Sequence, residues 1–357
     1  MISSESYIFT PGPVRIPPYI LEIGARQTPY FRNESFSDIL IECEKLLLDL
    51  AVAPVGSRVV FLAASGTGAM EATVMNLLST NDKAIIVNGG GFGQRFVELC
   101  KCHDVPLHEH KIDGANLADT APLNAYAGST ALLVNAHETT KGVLYDMDAI
   151  GSYCRDNELL HIVDAISMFV TDEISMTDQH IDALIISSHK GLALPPGVSM
   201  VILSPRAIDR VGHTKSLYFN FRNYLEDGLR GQTPFTPAVT ILLQLHARLK
   251  QIERDTLKHE IAKAGRIADY FRKHVSAWPL GLYSRFMPNA MTALTPTNGE
   301  SALGIVKYLE GRHNIIVAPN GGALKDTVFR VSHMGDMTTE YVDVLIGAMD
   351  HYYGVKR

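Results

Sequence analysis

The sequence predicts an α/β fold in which helices flank a mostly parallel sheet. Short apolar runs rich in β-branched residues alternate with longer segments of helical periodicity. The apolar runs are continuous rather than alternating, which is typical of strands buried on both faces of a parallel sheet. The predicted strands are residues 59–63, 84–87, 131–135, 161–164, 183–187 and 199–203. The predicted helices beside them are residues 35–50, 68–78, 93–101 and 146–157.

Beyond Pro237 the pattern changes. Residues 239–274 predict one long amphipathic helix or a bent pair, because large aliphatic residues recur near helical spacing. Short strands then precede a helix, two further strands and a last helix, predicted at residues 302–310, 314–318, 327–331 and 338–352. The proline-rich start resembles an extended arm that belongs to neither domain. We therefore expect an arm at 1–20, a large domain at 21–240, and a linking helix with a smaller α+β domain at 241–357.

Length and composition exclude several classes of protein. At roughly 150 residues per domain, 357 residues suggest two domains. A hydrophobic fraction of 46% with 20% charged residues excludes disordered, collagen-like and coiled-coil chains. No apolar run approaches the roughly 18 residues of a membrane span, and residues 1–6 lack the features of a secretory signal. A net charge of −6 without long runs makes nucleic acid an unfavoured partner.

The four cysteines fit a reducing cytoplasm, because they are too few for a disulfide scaffold in a chain of this length. Cys100-Lys101-Cys102-His103, with two further histidines nearby, could hold a metal. Its spacing matches no familiar zinc site, and no second cysteine pair follows. We favour a helix end with incidental Cys and His, and we predict no metal site.

The segment Ile185-Ile186-Ser187-Ser188-His189-Lys190-Gly191 places a lysine after a buried strand, where its charge is costly. Forming an imine with an aldehyde is one use for such a lysine. Asp164 ends another buried strand 26 residues earlier, and adjacent βα units would bring both groups to one sheet edge. A pyridine cofactor joined to a lysine needs a carboxylate opposite, which keeps its ring nitrogen protonated. The plain alternatives are a solvent-facing lysine and a helix-capping aspartate.

Three more segments follow predicted strands. Ser65-Gly66-Thr67-Gly68-Ala69 enters a helix whose N-terminal N–H groups suit one phosphate, although it matches neither the dinucleotide fingerprint nor the Walker A loop. Phe92 stands among glycines, where its ring could lie over another ring. Thr139, in a polar segment from His137 to Gly142, offers a hydroxyl. A ligand-free turn, a core phenylalanine and a plain polar loop are the alternatives. We favour one shared ligand, because each of the five segments suits a part of it.

In these residues the chain resembles the class V, fold type I pyridoxal-phosphate aminotransferases. It is most similar to the branch of alanine–glyoxylate and serine–pyruvate aminotransferases, with 2-aminoethylphosphonate–pyruvate transaminases close by. The resemblance runs from Thr10-Pro11-Gly12-Pro13 to Gly335. It implies a mostly parallel seven-stranded sheet in the large domain and pyridoxal 5′-phosphate as the cofactor. It also implies ping-pong transfer of an amino group from a small amino acid of the alanine or serine type to glyoxylate or pyruvate.

The resemblance implies a role for each motif residue. Lys190 matches the lysine joined to the cofactor, and Asp164 matches the partner of its ring nitrogen. Phe92 stands where relatives often have tryptophan, and Arg330 resembles the small-domain arginine that grips the substrate carboxylate. The other matched cofactor contacts are Ser65, Gly66, Thr67, Gly68, Ala69, Thr139, His189 and Thr236. His189 replaces a residue that is often glutamine in relatives, so its role is open.

Gln232-Thr233-Pro234-Phe235-Thr236-Pro237 resembles the segment that a neighbouring subunit lends to the phosphate, which implies a homodimer with shared sites. Relatives often carry a His-Arg pair where this chain has Phe31-Arg32, so the role of Arg32 is open. For Arg15 we favour contact with water over contact with a second acidic group on the substrate. The runner-up activity is 2-aminoethylphosphonate–pyruvate transamination. A lyase, a decarboxylase and a catalytically silent binding protein are less favoured, and a desulfurase would need a cysteine after Cys154.

Overall fold

The structure is a computed structural model that describes residues 6–356. In chain order its strands are β1 Tyr7–Phe9, β2 Arg58–Leu62, β3 Ala84–Asn88, β4 Leu107–Lys111, β5 Ala131–Asn135, β6 His137–Glu138, β7 Val143–Leu144, β8 Leu160–Asp164, β9 Ala183–Ser187, β10 Ser199–Leu203, β11 Leu280–Leu282, β12 Met291–Pro296, β13 Ile315–Pro319 and β14 Phe329–Ser332.

The α-helices of the same residues are α1 Pro18–Gly24, α2 Glu34–Leu50, α3 Gly66–Leu77, α4 Gly91–Cys102, α5 Met147–Asp156, α6 Pro205–Arg210, α7 Phe221–Gly228, α8 Val239–Asp255, α9 Leu257–Val275, α10 Ala302–His313 and α11 Thr339–Tyr353. Two short 3-10 helices cover Ala121–Tyr126 and Gly322–Leu324. Within residues 6–356, no helix has both the length and the apolar character needed to cross a membrane.

The larger sheet has seven strands in the order β2-β10-β9-β8-β5-β3-β4, which confirms the predicted α/β class. Strand β10 is antiparallel to both its neighbours, and the remaining pairs are parallel. Six of these strands match predicted strands to within one residue. The sequence does not predict β4, because its residues Leu-His-Glu-His-Lys are mostly polar and only half-buried at the sheet edge.

The register of the larger sheet brings three strand ends together. Asn135 at the end of β5 pairs with Asp164 at the end of β8, and Asp164 pairs with Ile185 in β9. Helices α3 and α4 begin a few residues after β2 and β3. Because the carboxyl ends of parallel strands share one edge, the segments after β3, β5, β8 and β9 gather there.

Residues 239–274 form a pair of helices rather than one, which confirms the bent-pair alternative. Helix α8 ends at Asp255 and α9 starts at Leu257. The break is at Thr256, whose φ is 73° and whose side chain caps α9 by accepting a hydrogen bond from the His259 N–H. The chain thereby passes from the larger sheet to the smaller one.

The smaller sheet has five strands in the order β1-β13-β14-β12-β11. Its edge strand β1 comes from the predicted N-terminal arm and pairs in parallel with β13. The arm is therefore not separate from the folded elements, because its apolar Phe9 is fully buried in the core beneath this sheet. Residues 1–5, where the expected arm begins, lie outside the described residues. The domain boundaries at residues 20 and 240 stay predictions.

Candidate active site

Lys190 lies just after β9 with only 8% of its surface exposed. Within residues 6–356, its Nζ atom makes no hydrogen bond and no ion pair, and it lies 5.7 Å from the centre of the Phe92 ring. Burial lowers the pKa of Lys190 to about 8, and Asp164 opposes this shift while Arg330 adds to it. Burial favours the neutral amine because the charged form loses its hydration. The site thus holds a lysine poised to act as a nucleophile near neutral pH.

Asp164 ends β8 at the same sheet edge and is also buried. Its Oδ1 atom accepts a hydrogen bond from the Ile166 N–H at 2.9 Å. Burial raises the pKa of Asp164 to about 6, whereas the Ile166 N–H and the charge of Lys190 act in the opposite direction. A buried carboxylate with this pKa can hold a protonated base beside it, because the cation would stabilise its charged form.

The turn between β2 and α3 exposes the first N–H groups of a helix. Ser65 is the N-cap and its hydroxyl accepts a hydrogen bond from the Gly68 N–H at 3.3 Å. A Cβ atom at Gly66 would lie 2.4 Å from Ile166 Cδ1, so a larger residue there would require the Ile166 side chain to move. The Thr67 hydroxyl accepts a hydrogen bond from Arg95 Nη1 at 2.6 Å. Free N–H groups, a helix dipole and a nearby guanidinium together suit an anion such as a phosphate.

Phe92 and Arg95 share one face of the first turn of α4. The Arg95 guanidinium carbon lies 5.5 Å from the centre of the Phe92 ring. Arg95 is not among the predicted site residues, although its spacing from Phe92 indicates a shared face, since residues three positions apart on a helix are neighbours. Arg95 therefore connects the aromatic ring to the Thr67 turn.

Thr139 and His189 lie where the sequence placed them, near the ends of buried strands. The Thr139 hydroxyl is 2.9 Å from the Ser167 hydroxyl. His189 Nδ1 is 3.0 Å from the Ser187 hydroxyl, and burial lowers the pKa of His189 to about 4. The imidazole of His189 is therefore uncharged at neutral pH, and both side chains are already hydrogen-bonded within the chain.

Arg330 reaches from β14 of the smaller sheet to the residue that follows β6. Its Nη1 donates to the Thr139 carbonyl at 3.3 Å, and its Nη2 donates to the Pro319 carbonyl at 2.6 Å. Its Nε is buried and has no hydrogen-bond partner within residues 6–356. Burial lowers the pKa of Arg330. A buried donor without a partner is costly, so this guanidinium is suited to receive a carboxylate.

His137 and Glu138 are buried in the site but are not among the predicted site residues. Burial lowers the pKa of His137 to about 3, and its Nε2 has no hydrogen-bond partner within the described residues. Glu138 is fully buried and accepts a hydrogen bond from the Gly93 N–H at 3.4 Å. A Glu-Thr-Thr run that begins three residues after the end of a predicted strand is the sequence signal that could have indicated a buried carboxylate.

The N-terminal arm crosses directly over Lys190. A Cβ atom at Gly12, whose φ is 156°, would lie 2.7 Å from Lys190 Cε. Further along the arm, Arg15 forms an ion pair with Asp336 at 3.4 Å and stacks over the ring of Tyr341 at 4.3 Å. The expectation that Arg15 faces water is wrong, because the smaller sheet supplies a carboxylate and a ring for it.

Thr236 is exposed and has no hydrogen bond or ion pair within the described part of the chain. The segment that carries it is held by Arg32, whose Nη1 donates to the Thr233 carbonyl at 2.8 Å and to Gln232 Oε1 at 3.2 Å. Arg32 Nη2 donates to the Pro234 carbonyl at 3.3 Å. Arg32 therefore fixes the backbone of this segment rather than facing the lysine.

The Cys100–His103 motif at the end of α4, for which no metal is predicted, lies beside one further possible metal ligand, Glu71. Atoms of Glu71, Cys102 and His103 that could bind a metal all lie within 4.8 Å of one another. His103 Nε2 is 3.2 Å from Glu71 Oε1, so these two side chains already interact with each other. The absence of a metal at this motif stays a prediction.

Comparison with known proteins assigns the chain to a family. The model of the aminotransferase class-V family matches residues 25–318. The chain is 28% identical over 353 residues to the L-aspartate–glyoxylate aminotransferase of Paracoccus denitrificans, covering 94% of this chain and 88% of that protein. It is 26% identical over 349 residues to the serine–glyoxylate aminotransferase of Arabidopsis thaliana, covering 93% and 86% of the two chains.

A solved structure agrees with this match. The subgroup IV aspartate aminotransferase of Thermus thermophilus superposes with a TM-score of 0.90 at 26% identity, covering 98% of this chain and 99% of that chain. Both sheets of the present structure are therefore part of the shared architecture, the pyridoxal-phosphate-dependent transferase fold type I. The chain belongs to the aminotransferase class-V family and is a pyridoxal-phosphate-dependent aminotransferase.

Proposed function

We propose that this aminotransferase moves an amino group from a small amino acid of the alanine or serine type to glyoxylate or pyruvate, in two successive half-reactions. The observation that carries the proposal is the buried Lys190 amine, which has no polar partner in the described residues and shares a sheet edge with Asp164. Two relatives with different named donors share glyoxylate in their names, which supports this acceptor.

The residues at this edge fit pyridoxal 5′-phosphate. The N-terminus of α3, built by Ser65, Gly66, Thr67, Gly68 and Ala69, would hold the phosphate. Phe92 would cover one face of the ring, and Asp164 would hold the proton on the ring nitrogen. Thr139 and His189 line the same edge and would contact the cofactor. When bound, the cofactor supplies an aldehyde for Lys190 and a ring that withdraws electrons from the substrate.

The chain's own residues then perform the proton transfer and the orientation. Lys190, with its lowered pKa, would move the proton from the α-carbon of the donor amino acid to the bound cofactor in the first half-reaction, and would carry a proton in the opposite direction in the second. Arg330 orients the carboxylate of both substrates, because its Nε lacks a partner. Asp164 would favour the protonated form of the ring nitrogen of a bound cofactor, since a buried carboxylate and a cation stabilise each other.

Arg330→Lys is expected to raise the KM of both the amino acid and the 2-oxo acid by about 10- to 100-fold, because an ammonium cannot form the two-point contact with a carboxylate. The affinity for pyridoxal phosphate should change by less than about twofold, since Arg330 is assigned to the substrate. Steady-state kinetics and cofactor titration measure both effects. Arg312→Lys, on the exposed surface of α10, is the matched control. Unchanged KM values in Arg330→Lys would remove Arg330 from this role.

The lowered pKa of Lys190 predicts a pH profile for capture of the cofactor. Only the neutral amine attacks an aldehyde, so the rate should rise about tenfold per pH unit up to about pH 8 and then level off. The measurement mixes the cofactor-free protein with pyridoxal phosphate between pH 7 and pH 10 and follows absorbance. Nα-acetyl-lysine, whose ε-amine is fully hydrated, serves as the reference, and its rate of reaction with pyridoxal phosphate should still rise above pH 9. A protein profile that keeps rising beyond pH 9.5 would contradict a desolvated lysine.

We also propose that the protein is located in the cytoplasm and that its domain boundaries lie at residues 20 and 240. We further propose that it forms a homodimer with shared active sites. Thr236 is exposed, so its side chain is accessible to another subunit. Arg32 holds the backbone of the segment just before it through the Thr233 carbonyl. Two large apolar side chains beside this segment, Tyr30 and Leu229, are 68% and 74% exposed, as expected for a surface that a second copy covers. Sedimentation of the wild type and of Leu229→Glu tests the proposal, and a monomeric wild type would refute it.

The donor is tested by following the absorbance of the cofactor-loaded protein. Alanine and serine are expected to bleach the lysine-bound band, and glyoxylate or pyruvate should restore it. Aspartate and 2-aminoethylphosphonate belong in the same screen. The 2-aminoethylphosphonate alternative needs a cation for the phosphonate, and Arg15 is already paired with Asp336. A response to 2-aminoethylphosphonate alone would replace our proposed donor class.

A further inference from the structure

Helix α4 begins without a capping side chain of its own. Its N-cap is Gly90, which has none, so the first N–H groups of the helix need acceptors from elsewhere. This turn carries Phe92, with a glycine on each side of it. Its geometry therefore depends on whatever holds Gly91 and Gly93.

Both flanking glycines are held by the segment that follows β5. Glu138 Oε2 accepts from the Gly93 N–H at 3.4 Å, and Thr140 Oγ1 accepts from the Gly91 N–H at 3.2 Å. The Thr140 hydroxyl in turn donates to Glu138 Oε1 at 2.5 Å. Glu138 thus reaches one side of Phe92 directly and the other side through Thr140.

All the hydrogen bonds of the Glu138 side chain come from donors. Besides the Gly93 N–H, they are the Asn135 Nδ2 group at 3.2 Å and the N–H and hydroxyl of Thr140. A carboxylate only accepts, so it satisfies all four at once, whereas an amide would turn its NH₂ group against two donors. The packing is tight, since a Cβ atom at Gly90 would lie 2.6 Å from Glu138 Cδ.

The same segment also touches the smaller sheet. The Thr139 carbonyl accepts from Arg330 Nη1 at 3.3 Å, and the Thr140 carbonyl accepts from Asn320 Nδ2 at 2.9 Å. Glu138 is therefore fixed at a point where the turn of Phe92 and the strand of Arg330 both attach. A carboxylate at the N-terminus of α4 is also favoured by the helix dipole.

We propose that Glu138 is a positioning residue, which caps α4 from another segment and so sets the placement of the Phe92 ring over the cofactor. The proposal rests on the proposed function, because it assigns Phe92 to the cofactor. It adds a role for a residue that contacts neither the lysine nor the substrate in the interactions described above. Glu138 acts through the two glycine N–H groups beside Phe92.

The first arm of the test uses cofactor-free protein. Glu138→Gln should speed hydrogen–deuterium exchange in the peptide that covers residues 89–95 by about tenfold, because the amide has one acceptor oxygen in place of two, so that either the Gly93 N–H or Thr140, which holds Gly91, loses its acceptor. Glu98→Gln, on the exposed side of the same helix, makes the same change in charge and should leave this exchange unchanged. Equal exchange in Glu138→Gln and the wild type would overturn the proposal, whatever the protein binds.

The second arm is a double-mutant cycle on the dissociation constant of pyridoxal phosphate. Glu138→Gln should weaken binding by about tenfold in the wild type and by less than about twofold in a Phe92→Leu background, since the ring through which it acts is gone. Additive losses would mean that Glu138 acts by another route and would overturn the proposal. If Glu138→Gln does not fold, Thr140→Val removes the Gly91 contact and should show the same dependence on Phe92 at about threefold. A wild type that does not bind the cofactor would refute the proposed function, and the exchange arm would still decide the role of Glu138.

Discussion

Lys190→Ala is expected to abolish transamination, lowering turnover by roughly 10⁵-fold or more, because one amine both binds the aldehyde and moves the substrate proton. Among residues 6–356, Lys190 is the lysine that is buried at the sheet edge shared with Asp164, so none of the other described lysines is placed to replace it. The variant should also lack the visible absorbance of a lysine-bound cofactor. The fold should be retained, because removing a buried amine without polar partners breaks no hydrogen bond in the described residues.

The direct measurement is reduction of the loaded protein with borohydride, followed by peptide mass mapping. The wild type should carry the pyridoxyl group on Lys190, and Lys190→Ala should carry none. Lys258→Ala, which removes an exposed lysine from α9, should behave as the wild type. A labelled peptide that excludes residue 190 would end the assignment.

Asp164→Asn is expected to lower turnover by about 10²- to 10³-fold, the usual cost of removing one preorganised charge from an active site. Asparagine keeps the shape and can still accept from the Ile166 N–H, so the turn after β8 should remain intact. Only the negative charge is lost, and with it the reason for the ring nitrogen to stay protonated. Steady-state kinetics at pH 8, above the raised pKa of Asp164 of about 6, gives the comparison with a fully ionised wild type.

A cofactor methylated on the ring nitrogen separates this effect from misfolding. Its ring is permanently cationic, so it should restore part of the lost turnover in Asp164→Asn while giving the wild type no benefit. Thermal unfolding of the cofactor-free variant should match or exceed that of the wild type, because a buried charge has been removed. Turnover of Asp164→Asn within a few fold of the wild type would show that the ring nitrogen has another partner.

The larger sheet was predictable from local patterns, whereas the smaller sheet was not fully so. Strands β5, β9 and β10 have the predicted bounds, because continuous apolar runs leave little choice for a doubly covered strand. Strand β4 escaped prediction because polar residues at a sheet edge carry no such pattern. Strand β1 escaped because its pairing with β13 joins residues more than 300 positions apart.

The site divides in the same way. Lys190, Asp164 and the turn before α3 follow strands, so their common position comes from topology alone. Arg95 and Glu138 matter through contacts with Thr67 and Gly93, which only the folded chain reveals. Arg15 shows the converse, since its true partner Asp336 is contributed by a segment 321 residues away. Long-range pairing of polar side chains is the part that a single sequence does not disclose.

Gly12 covers Lys190, and the arm that carries Gly12 is attached on one side through β1 to β13 and on the other side through Arg15 to Asp336. The segment that covers the lysine is therefore connected to the same sheet that carries Arg330. A movement of this cover that admits a substrate must therefore also displace Arg330, the residue assigned to bind the substrate carboxylate. Substrate entry and substrate recognition are therefore coupled. Breaking the ion pair between Arg15 and Asp336 should change the rates of substrate binding and product release before it changes the rate of the chemical step.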